Sequence, residues 1–499
     1  MATAKSSTVK LYSNVPFDSS YNNVLHYTTS YALNNFLDTK CTIVYNGSAL
    51  SYIRPESGTC RCNGSVTANL YRANYMYFTN TGVAKSFYAF VKQIKYINDN
   101  TFEIDFELDL FHSYIFYAQL NPCFIERQHS TTDKIGDNLQ PEPQFNNLDY
   151  TATAKYIDLG LRYCLVTTTD NDGASAISYN KSSGEIIGGY RTIYDDINSF
   201  INAVFALVSG GKADTIVTAC YYPAVTDTSV TINRPTTING YTPKNNKCLS
   251  GLFVKLIATN NLGQKQVYTF ERGVNGSIKF DTKSTFSAPP TVMLYPNAYD
   301  SQIDNVMSGL VYDNYPLIPV IKDNYAEYFN NNYNSLMTNI LSQSLQGVGN
   351  LLTLNLGGAF GNAGSLQSEM SSLVDMTKSS TRFSVGQSSA NGLLNLANNA
   401  SGTNNMRGFT LFLNIPRATE IKLIDNYFTR YGYAQNSVAT PNISARPCYT
   451  YIKTRDSNVT GTIPDNARVL INSVFNKGTT FWQPSAKVGN YTQDNSIKE

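Results

Sequence analysis

The clearest pattern of apolar and polar positions lies in residues 86–111, where two strand-like runs flank a short polar segment. The runs read FYAFVKQIKYI and TFEIDFELDLF, and Asn98, Asp99 and Asn100 lie between them. Two β-rich runs around such a turn predict an antiparallel hairpin. In the second run a period of two places the apolar side chains on one face and the acidic ones on the other. The apolar set is Phe102, Ile104, Phe106, Leu108 and Leu110, and the acidic set is Glu103, Asp105, Glu107 and Asp109.

Three interpretations of this acidic row stay open. The row can be a solvated sheet face on which Lys92 or Lys95, across the hairpin, relieves the repulsion between the carboxylates. It can hold a catalytic carboxylate pair, although glycosidase acids face each other across a cleft from separate elements. It can also line a channel for a polyanion, because surface acids give nucleic-acid phosphates no place to bind.

Three later segments show the 3.6-residue period of amphipathic helices. The first is capped by Asp195 and ends at Gly210 and Gly211, and the second is capped by Thr419 and ends at Gly432. The third covers 465–478. A strand is expected around 449–453, and the polar tail, 483–499, is expected to be frayed. The predicted inward residues are Ile197, Phe200, Ile201, Val204, Phe205 and Val208 in the first helix, Ile421, Leu423, Ile424, Tyr427 and Phe428 in the second, and Val469, Leu470, Val474 and Phe475 in the third.

The segment 330–406 differs in composition from the rest of the chain. Residues 328–368 and 383–406 contain no Asp, Glu, Lys or Arg, and 330–406 contains no Pro or Cys. Tyrosine, which is abundant elsewhere, is absent from 334–426. The apolar residues of the segment that we select as candidates for membrane contact are Leu336, Met337, Ile340, Leu341, Leu345, Leu351, Leu352, Leu354, Leu356, Phe360, Leu366, Leu373, Phe383, Leu393, Leu394 and Leu396.

Three interpretations of this segment are weighed. It is not an ordinary transmembrane helix, because no window contains 18 consecutive apolar residues. It can be a flexible linker or a set of helices packed on the parent domain, although a random-coil spacer does not need so much leucine. It can also be a conditional membrane-binding loop, since each charge at the centre of a bilayer helix would cost about 2.5 to 3.5 kcal/mol.

Composition favours an ordered, β-rich chain. The 38 Lys and Arg residues and the 36 Asp and Glu residues give a net charge of +2. A charge this small excludes the class of polybasic proteins that bind nucleic acid through phosphate contacts. The hydrophobic fraction is 42% and the aromatic fraction 12%, which is enough to build cores. The chain contains 36 Tyr and 25 Phe but 1 Trp. Tyr and Phe are enriched in β-strands, so this content favours β-sheet. We predict a mainly β fold with α/β additions, divided into a β-rich domain at 1–150, a mixed α/β middle domain at 151–329, the insertion 330–406 and a C-terminal part at 407–499.

The residues that could carry chemistry are few. The eight cysteines are scattered and residues 1–18 lack the apolar core of a secretory signal, so we expect synthesis in a reducing cytoplasm with the thiols packed as small apolar groups. Cys60 and Cys62 form a local pair, but a structural zinc site needs four ligands. The three histidines (His26, His112, His129) accompany no GxSxG or HExxH motif. We therefore predict no catalytic site, no metal and no cofactor.

Several framework segments carry a resemblance to a known family. These are NVPFD (14–18), SFYAFV with FEIDFELDLF, CFIERQH (123–129), LIDNYFTRYGY, ARPCYTYIKT and the ending GTTFW. In this order they resemble the distal tail tube (tail knob) proteins of short-tailed bacteriophages that infect Gram-positive bacteria. The likeness reaches both ends of the chain and is weakest in 151–324.

The resemblance implies a structural virion protein at the tail tip, made in the bacterial host cytoplasm. Members of the family assemble as a homohexameric ring of β-barrel-like tube domains, which implies other phage tail proteins as partners on the side of the lower collar or connector. Viral DNA is expected to pass through the lumen without specific binding. The acids Glu103, Asp105, Glu107 and Asp109 become candidates for the lumen wall, and that placement is our inference rather than a family motif.

The resemblance also implies a long hydrophobic loop in each subunit. In the family this loop plugs the lumen before infection and enters the host cell membrane afterwards. On this sequence it falls on 334–406, within the segment that charge and tyrosine content isolate independently.

Two alternative functions come from other classes. A cell-wall-degrading or glycan-degrading tail enzyme could use carboxylates such as Glu126 or Asp170, which nothing in the sequence singles out. A receptor-binding adhesin would use the middle region, 151–329, as its contact surface.

Overall fold

In the computed structural model of the chain, the structure describes residues 6–168, 185–186, 189–209, 212, 215–301, 309–318 and 407–497. These residues are mostly β-strand with a few helices, so the predicted mainly β class is confirmed. They form two compact units. Unit 1 comprises Met1–Tyr150, Pro235–Phe253 and Pro416–Glu499, and unit 2 comprises Thr151–Arg234 and Val254–Ile415.

The elements of the described residues are numbered in chain order. The strands are β1 (Ser7–Ser13), β2 (Asn23–Leu25), β3 (Thr42–Ser48), β4 (Thr59–Asn63), β5 (Tyr75–Asn80), β6 (Ser86–Asn98), β7 (Thr101–Leu108), β8 (Ala118–Leu120), β9 (Cys123–Gln128), β10 (Tyr150–Asp158), β11 (Arg162–Thr168), β12 (Glu185–Ile186), β13 (Gly189–Tyr194), β14 (Ile216–Tyr222), β15 (Ser229–Asn233), β16 (Lys255–Thr259), β17 (Lys265–Tyr268), β18 (Ser277–Ser284), β19 (Val292–Asn297), β20 (Leu310–Tyr312), β21 (Gly408–Pro416), β22 (Tyr433–Ala439), β23 (Tyr449–Arg455), β24 (Val459–Gly461) and β25 (Thr479–Trp482). The α-helices are α1 (Ser30–Lys40), α2 (Leu110–Tyr114), α3 (Ile197–Ser209), α4 (Ala418–Tyr431) and α5 (Asp465–Lys477).

Unit 1 contains an antiparallel sheet with the strand order β3-β1-β5-β6-β7-β4. Its two outer strands approach each other, because Ala49 forms a bridge with Cys62 and Leu50 N donates to Arg61 O at 2.8 Å. A second sheet has the order β2-β25-β23-β9-β22, and β24 pairs with β8. Helices α2 and α5 pack against each other, and α5 also contacts β23.

The described residues of unit 2 form three four-stranded sheets. Their orders are β10-β21-β16-β17, β12-β13-β11-β14 and β15-β18-β19-β20. Helix α3 packs on β11, beside a core that contains Cys164 and Cys220. None of the helices in the described ranges has both the length and the apolar content needed to span a bilayer.

The boundaries of the two units differ from the expected domain boundaries at two places. Pro235–Phe253 was assigned to the middle domain by sequence, but it belongs to unit 1. Strand β21 was assigned to the C-terminal part, but it pairs with β16 in unit 2, with Lys255 opposite Asn414. Such pairing between strands far apart in the chain leaves no local sequence pattern.

The predicted hairpin is confirmed as β6 and β7, which pair antiparallel with Ile94 opposite Ile104. Phe102, Ile104 and Phe106 are buried, as their alternation predicted. Leu110 falls outside β7, because it is the first residue of α2.

The first predicted helix is confirmed as α3, but the residue that caps it is Asp196 rather than Asp195. Asp196 Oδ1 accepts from Ser199 N at 2.9 Å, whereas Asp195 pairs with Arg162 at 2.6 Å. Phe200 and Val204 are buried as predicted.

The two C-terminal helices are confirmed with corrections to their faces. Helix α4 ends at Gly432 but begins at Ala418, so Thr419 lies inside the helix and does not cap it. Leu423, predicted to face inward, is 70% exposed. In α5 Val469 is 69% exposed, and Ile471 is buried on the inward face. The phase of a short helix is hard to assign where apolar residues are adjacent, as at 469–471.

The predicted strand around 449–453 is confirmed as β23, but the expectation of a frayed tail is wrong for 483–497. The Tyr491 ring centroid lies 5.2 Å from those of Trp482 and Tyr449. Asn495 Oδ1 accepts from Cys448 N at 2.9 Å and from Tyr449 N at 3.1 Å. One aromatic ring and one amide side chain therefore hold this polar segment against β23 and β25.

Candidate functional site

The predicted acidic row is an ion-paired face of the β4-β7-β6 part of the sheet. Arg61 Nε lies 2.8 Å from Glu103 Oε2, and Lys95 Nζ lies 2.5 Å from Asp105 Oδ2 and 4.0 Å from Glu103 Oε1. The expected relief of repulsion by lysines across the hairpin is confirmed for both candidates, since Lys92 Nζ also lies 3.0 Å from Glu107 Oε2.

The pairing changes the charge of this face. Glu103, Asp105 and Glu107 are matched by Arg61, Lys92 and Lys95, so the face is close to neutral. The hydrogen bond to Asp105 raises the pKa of Lys95, which keeps its ammonium charged. We call these six residues the charged face.

Asp109 does not belong to the charged face, which corrects its place among the predicted lumen acids. Strand β7 ends at Leu108, and Asp109 is fully buried at the start of α2. Its Oδ1 accepts from His112 N at 3.0 Å, which is the capping contact of that helix. An Asp at the residue just before a helix is a capping signal that sequence reasoning can detect, but here the alternation of β7 obscured it.

The Asp109 carboxylate anchors three segments of the chain. Its Oδ2 accepts from Tyr75 OH at 2.7 Å and lies 2.7 Å from His112 Nδ1, and its Oδ1 accepts from Tyr21 OH at 3.2 Å. Burial alone would raise the pKa of Asp109, but His112 and the hydrogen bonds from His112 and Tyr75 hold that pKa below its ordinary value. The carboxylate is therefore a structural anion that fixes the end of the hairpin.

A second buried ion cluster was missed by sequence reasoning. Glu142 Oε1 accepts from Lys247 Nζ at 2.7 Å and from Ala434 N at 3.0 Å, and Oε2 accepts from Arg127 Nη2 and from Gln144 Nε2. Burial opposes ionisation of Glu142, but Lys247 and Arg127 hold its pKa below the usual value. Lys247 and Ala434 lie far from Glu142 in sequence, so no local signal could have found the cluster.

The cysteine pair is structural. Cys60 and Cys62 are buried on the core side of β4, as expected for thiols packed as small apolar groups. The hydrogen bond with Cys62 is the larger cause, and burial the smaller, of a raised pKa at Cys60, which keeps this thiol protonated. In the described ranges no group of three or more His, Cys, Asp and Glu side chains could hold a metal ion.

Glu126, one of the two carboxylates considered for catalysis, has no catalytic setting. Glu126 lies 2.7 Å from Lys453 Nζ and 3.2 Å from Arg455 Nη2. The hydrogen bond from Lys453, with the charges of both cations, lowers the pKa of Glu126, so it is unsuited to act as a general acid. Asp170 lies outside the described residues, as do the apolar residues predicted for the membrane-active loop, from Leu336 to Leu396.

Comparison with known families decides the identity of this fold. The family model described as Bacillus phage phi29, tail knob protein gp9, C-terminal domain, matches residues 220–496, which is more than half of the chain. The chain belongs to this tail knob protein family. A second family model, the caudoviral major tail protein N-terminus, matches residues 5–119.

Individual tail knob proteins match along nearly their whole length. Tail knob protein gp9 of Bacillus phage B103 is 22% identical, and that of Bacillus phage phi29 is 21% identical, each covering 98% of both chains. The solved structure of the bacteriophage C1 tail knob protein gp12 aligns with a TM-score of 0.55 at 14% identity and covers 99% of both chains. At that identity the structural match shows the fold alone.

The family places the chain in the virion as a structural protein of the tail. The resemblance found in the sequence is confirmed, as is the prediction that the chain is not an enzyme, because the relatives are named as tail knob proteins. A tail knob protein associates with other proteins of the phage tail.

Proposed function

We propose that this tail knob protein forms the distal tail tube as a homohexameric ring through which viral DNA leaves. We assign the tube to unit 1, which comprises Met1–Tyr150, Pro235–Phe253 and Pro416–Glu499. The sheet of unit 1 supports a barrel-like tube domain, because its outer strands are bridged by Ala49 and Cys62. When a sheet closes into a barrel, its edge strands pair with each other and are no longer free to pair with other chains.

The segment 330–406 is the plug of this tube and later the part that enters the host cell membrane. The observation that carries this proposal is its composition, with two long runs free of charged residues and leucines at helical spacing. The segment lies in the sequence between β20 and β21, which both pair within sheets of unit 2. Six such loops can pack together in an aqueous bore and then bury the same apolar surface in lipid, without any single full-length span.

The charged face supports passage of DNA without specific binding. Arg61, Lys92 and Lys95 could bind phosphate, but each already has a carboxylate partner. A phosphate would have to displace that carboxylate, so a bore lined by this face holds DNA weakly. We accordingly place Glu103, Asp105 and Glu107 on the lumen wall.

Liposome leakage tests the loop directly. Replacing 334–406 by a short Gly/Ser linker should leave tubes that assemble but release no dye from liposomes, whereas the intact chain should release it. A matched variant keeps the length of the loop and changes only its polarity, with Leu351→Ser, Leu352→Ser, Leu354→Ser and Leu356→Ser. Leakage should fall in this variant also, and equal leakage from all three proteins would refute the membrane role.

A further inference from the structure

A cavity of about 320 Å³ lies in unit 1, where the segment 492–496 meets the start of β23 and the end of α4. Its lining residues carry polar or charged side chains, and two of them are cationic, Arg446 and Lys244. One carboxylate, Asp494, also lines it, and the Oδ1 of that carboxylate accepts from Ser496 N at 3.1 Å and Ser496 Oγ at 2.5 Å. The tube proposal makes no use of this cavity.

Arg446 is the unusual member of the lining. It is only 7% exposed, yet it has no carboxylate within 4.0 Å among the described residues. Its Nε donates to Ser130 O at 2.8 Å, and its Nη1 makes a long contact of 3.4 Å to Asn495 O. Its Nη2 donates to no atom of the described ranges, so guanidinium donors remain available at the cavity. A buried cation is normally paired, because removing a charge from water is costly.

Lys244 adds a second positive charge, and His129 adds none. Lys244 is an exposed residue that lines the cavity, and its side chain forms no ion pair with the described residues. Burial, together with the charges of Arg446 and Arg127, lowers the pKa of His129 to about 3, so its ring is neutral near pH 7. Both ring nitrogens are occupied, since Nδ1 accepts from Tyr451 N at 2.8 Å and Nε2 lies 3.1 Å from Thr429 O.

We infer that this cavity binds a phosphate group, free or esterified, between the Arg446 guanidinium and the Lys244 ammonium. Arginine matches the geometry of an oxyanion with paired N–H donors. Two cations suit a phosphate, which carries a charge of about −1.5 to −2 near neutral pH, better than a singly charged carboxylate. The volume of about 320 Å³ exceeds that of a simple ion, so it leaves room for the group that an ester carries.

Isothermal titration calorimetry of the full chain at constant ionic strength tests this inference with three probes. Inorganic phosphate and glycerol 3-phosphate should bind saturably, and acetate should bind at least tenfold more weakly. Tighter binding of glycerol 3-phosphate assigns the site to phosphate esters, and equal binding assigns it to the free anion. The inference is overturned if neither phosphate probe binds saturably, or if acetate binds equally well.

Substitutions of the charged lining residues should change the affinity for phosphate in opposite directions, depending on the charge that is removed. Arg446→Gln should weaken phosphate binding at least tenfold and Lys244→Gln several-fold, whereas Asp494→Asn removes a negative charge and should strengthen binding. The matched control is Arg468→Gln on α5, whose arginine pairs with Asp465 at 2.8 Å and should leave binding unchanged. If Arg446→Gln fails to fold, the exposed Lys244 and the Asp494 variant still decide, and unchanged affinity in both contradicts the site.

Discussion

At position 109 a fully buried carboxylate accepts hydrogen bonds from Tyr21, Tyr75 and both the backbone and the ring of His112. A charge held in this way is costly to disturb, because removing it leaves the buried donors without an acceptor. The neighbouring acid Glu107 differs in its surroundings, since its side chain is 53% exposed and pairs with Lys92 on the surface.

The first prediction compares these two acids. Asp109→Ala should lower the free energy of unfolding by about 3 kcal/mol, because it removes a helix cap and unpairs buried donors. Glu107→Gln should lower it by less than about 1 kcal/mol, as for an exposed ion pair. Urea unfolding midpoints measure both, and equal shifts would contradict the structural role of Asp109.

The second prediction concerns acid stability. The pKa of His129 is lowered to about 3 in the folded chain, from an ordinary histidine value of about 6.5. Between these values the unfolded state binds more protons, so stability is full above about pH 6.5 and falls as the pH drops, with a slope of up to about 1.4 kcal/mol per pH unit. His129→Gln should flatten this slope, leaving the part due to His26, whose pKa burial also lowers, and, below about pH 5, the part due to carboxylates of lowered pKa such as Asp109 and Glu142. Unfolding free energies measured from pH 7 to pH 4 would refute the assignment if both proteins gave the same slope.

At the scale of single elements, helix ends illustrate what sequence can reveal. Gly432 ends α4 with φ of 63°, a conformation that glycine adopts without strain. The glycine is also needed for space, because a Cβ there would lie 2.4 Å from the backbone of Gln128 and His129. The stop signal is local and was predictable, but the close approach of β9 depends on the tertiary fold.

The third prediction separates these two requirements. Gly432→Ala should destabilise the chain by more than about 2 kcal/mol, because backbone atoms must move in addition to the strain of a positive φ. Gly82→Ala is the matched control, since Gly82 has φ of +81° but nothing within 4 Å of the added Cβ, and it should cost about 1 kcal/mol. Thermal unfolding of both variants gives the comparison, and similar losses would contradict the close approach.

Local periodicity was sufficient to place the hairpin β6-β7 and the helices α3, α4 and α5, because each buries one face on a regular period. It did not assign every inward residue, since Leu423 and Val469 are exposed. It was not sufficient for the Glu142 cluster, whose partner Lys247 lies 105 residues away along the chain. It also failed for the tail, because the packing of Tyr491 on Trp482 is invisible in a polar composition. Among the four acids proposed for the lumen wall, the shared face of the three on β7 was predictable from the alternation of apolar and acidic residues. The position of Asp109 was not, because it depends on where the strand ends.

At the scale of the whole molecule, net charge and its arrangement govern how a tube holds DNA. The fourth prediction is that Glu103→Gln, Asp105→Gln and Glu107→Gln together leave Arg61, Lys92 and Lys95 unpaired and create affinity for duplex DNA. Binding should be detectable at 50 mM salt and fall at least about tenfold at 200 mM, as for phosphate contacts. The control adds Arg61→Gln, Lys92→Gln and Lys95→Gln to the same variant.

Fluorescence anisotropy with a short labelled duplex measures this affinity. The intact chain and the control should bind weakly. Equal binding by the intact chain and the three-acid variant would show that ion pairing on the charged face does not restrain the cations.

Electron microscopy of the purified full chain, viewed end-on, tests the central claim most directly. The account predicts rings of six subunits with density in the bore, and open rings of the same size when 334–406 is replaced by a linker. Monomers, rings with another number of subunits, or an identical bore in both proteins would contradict it.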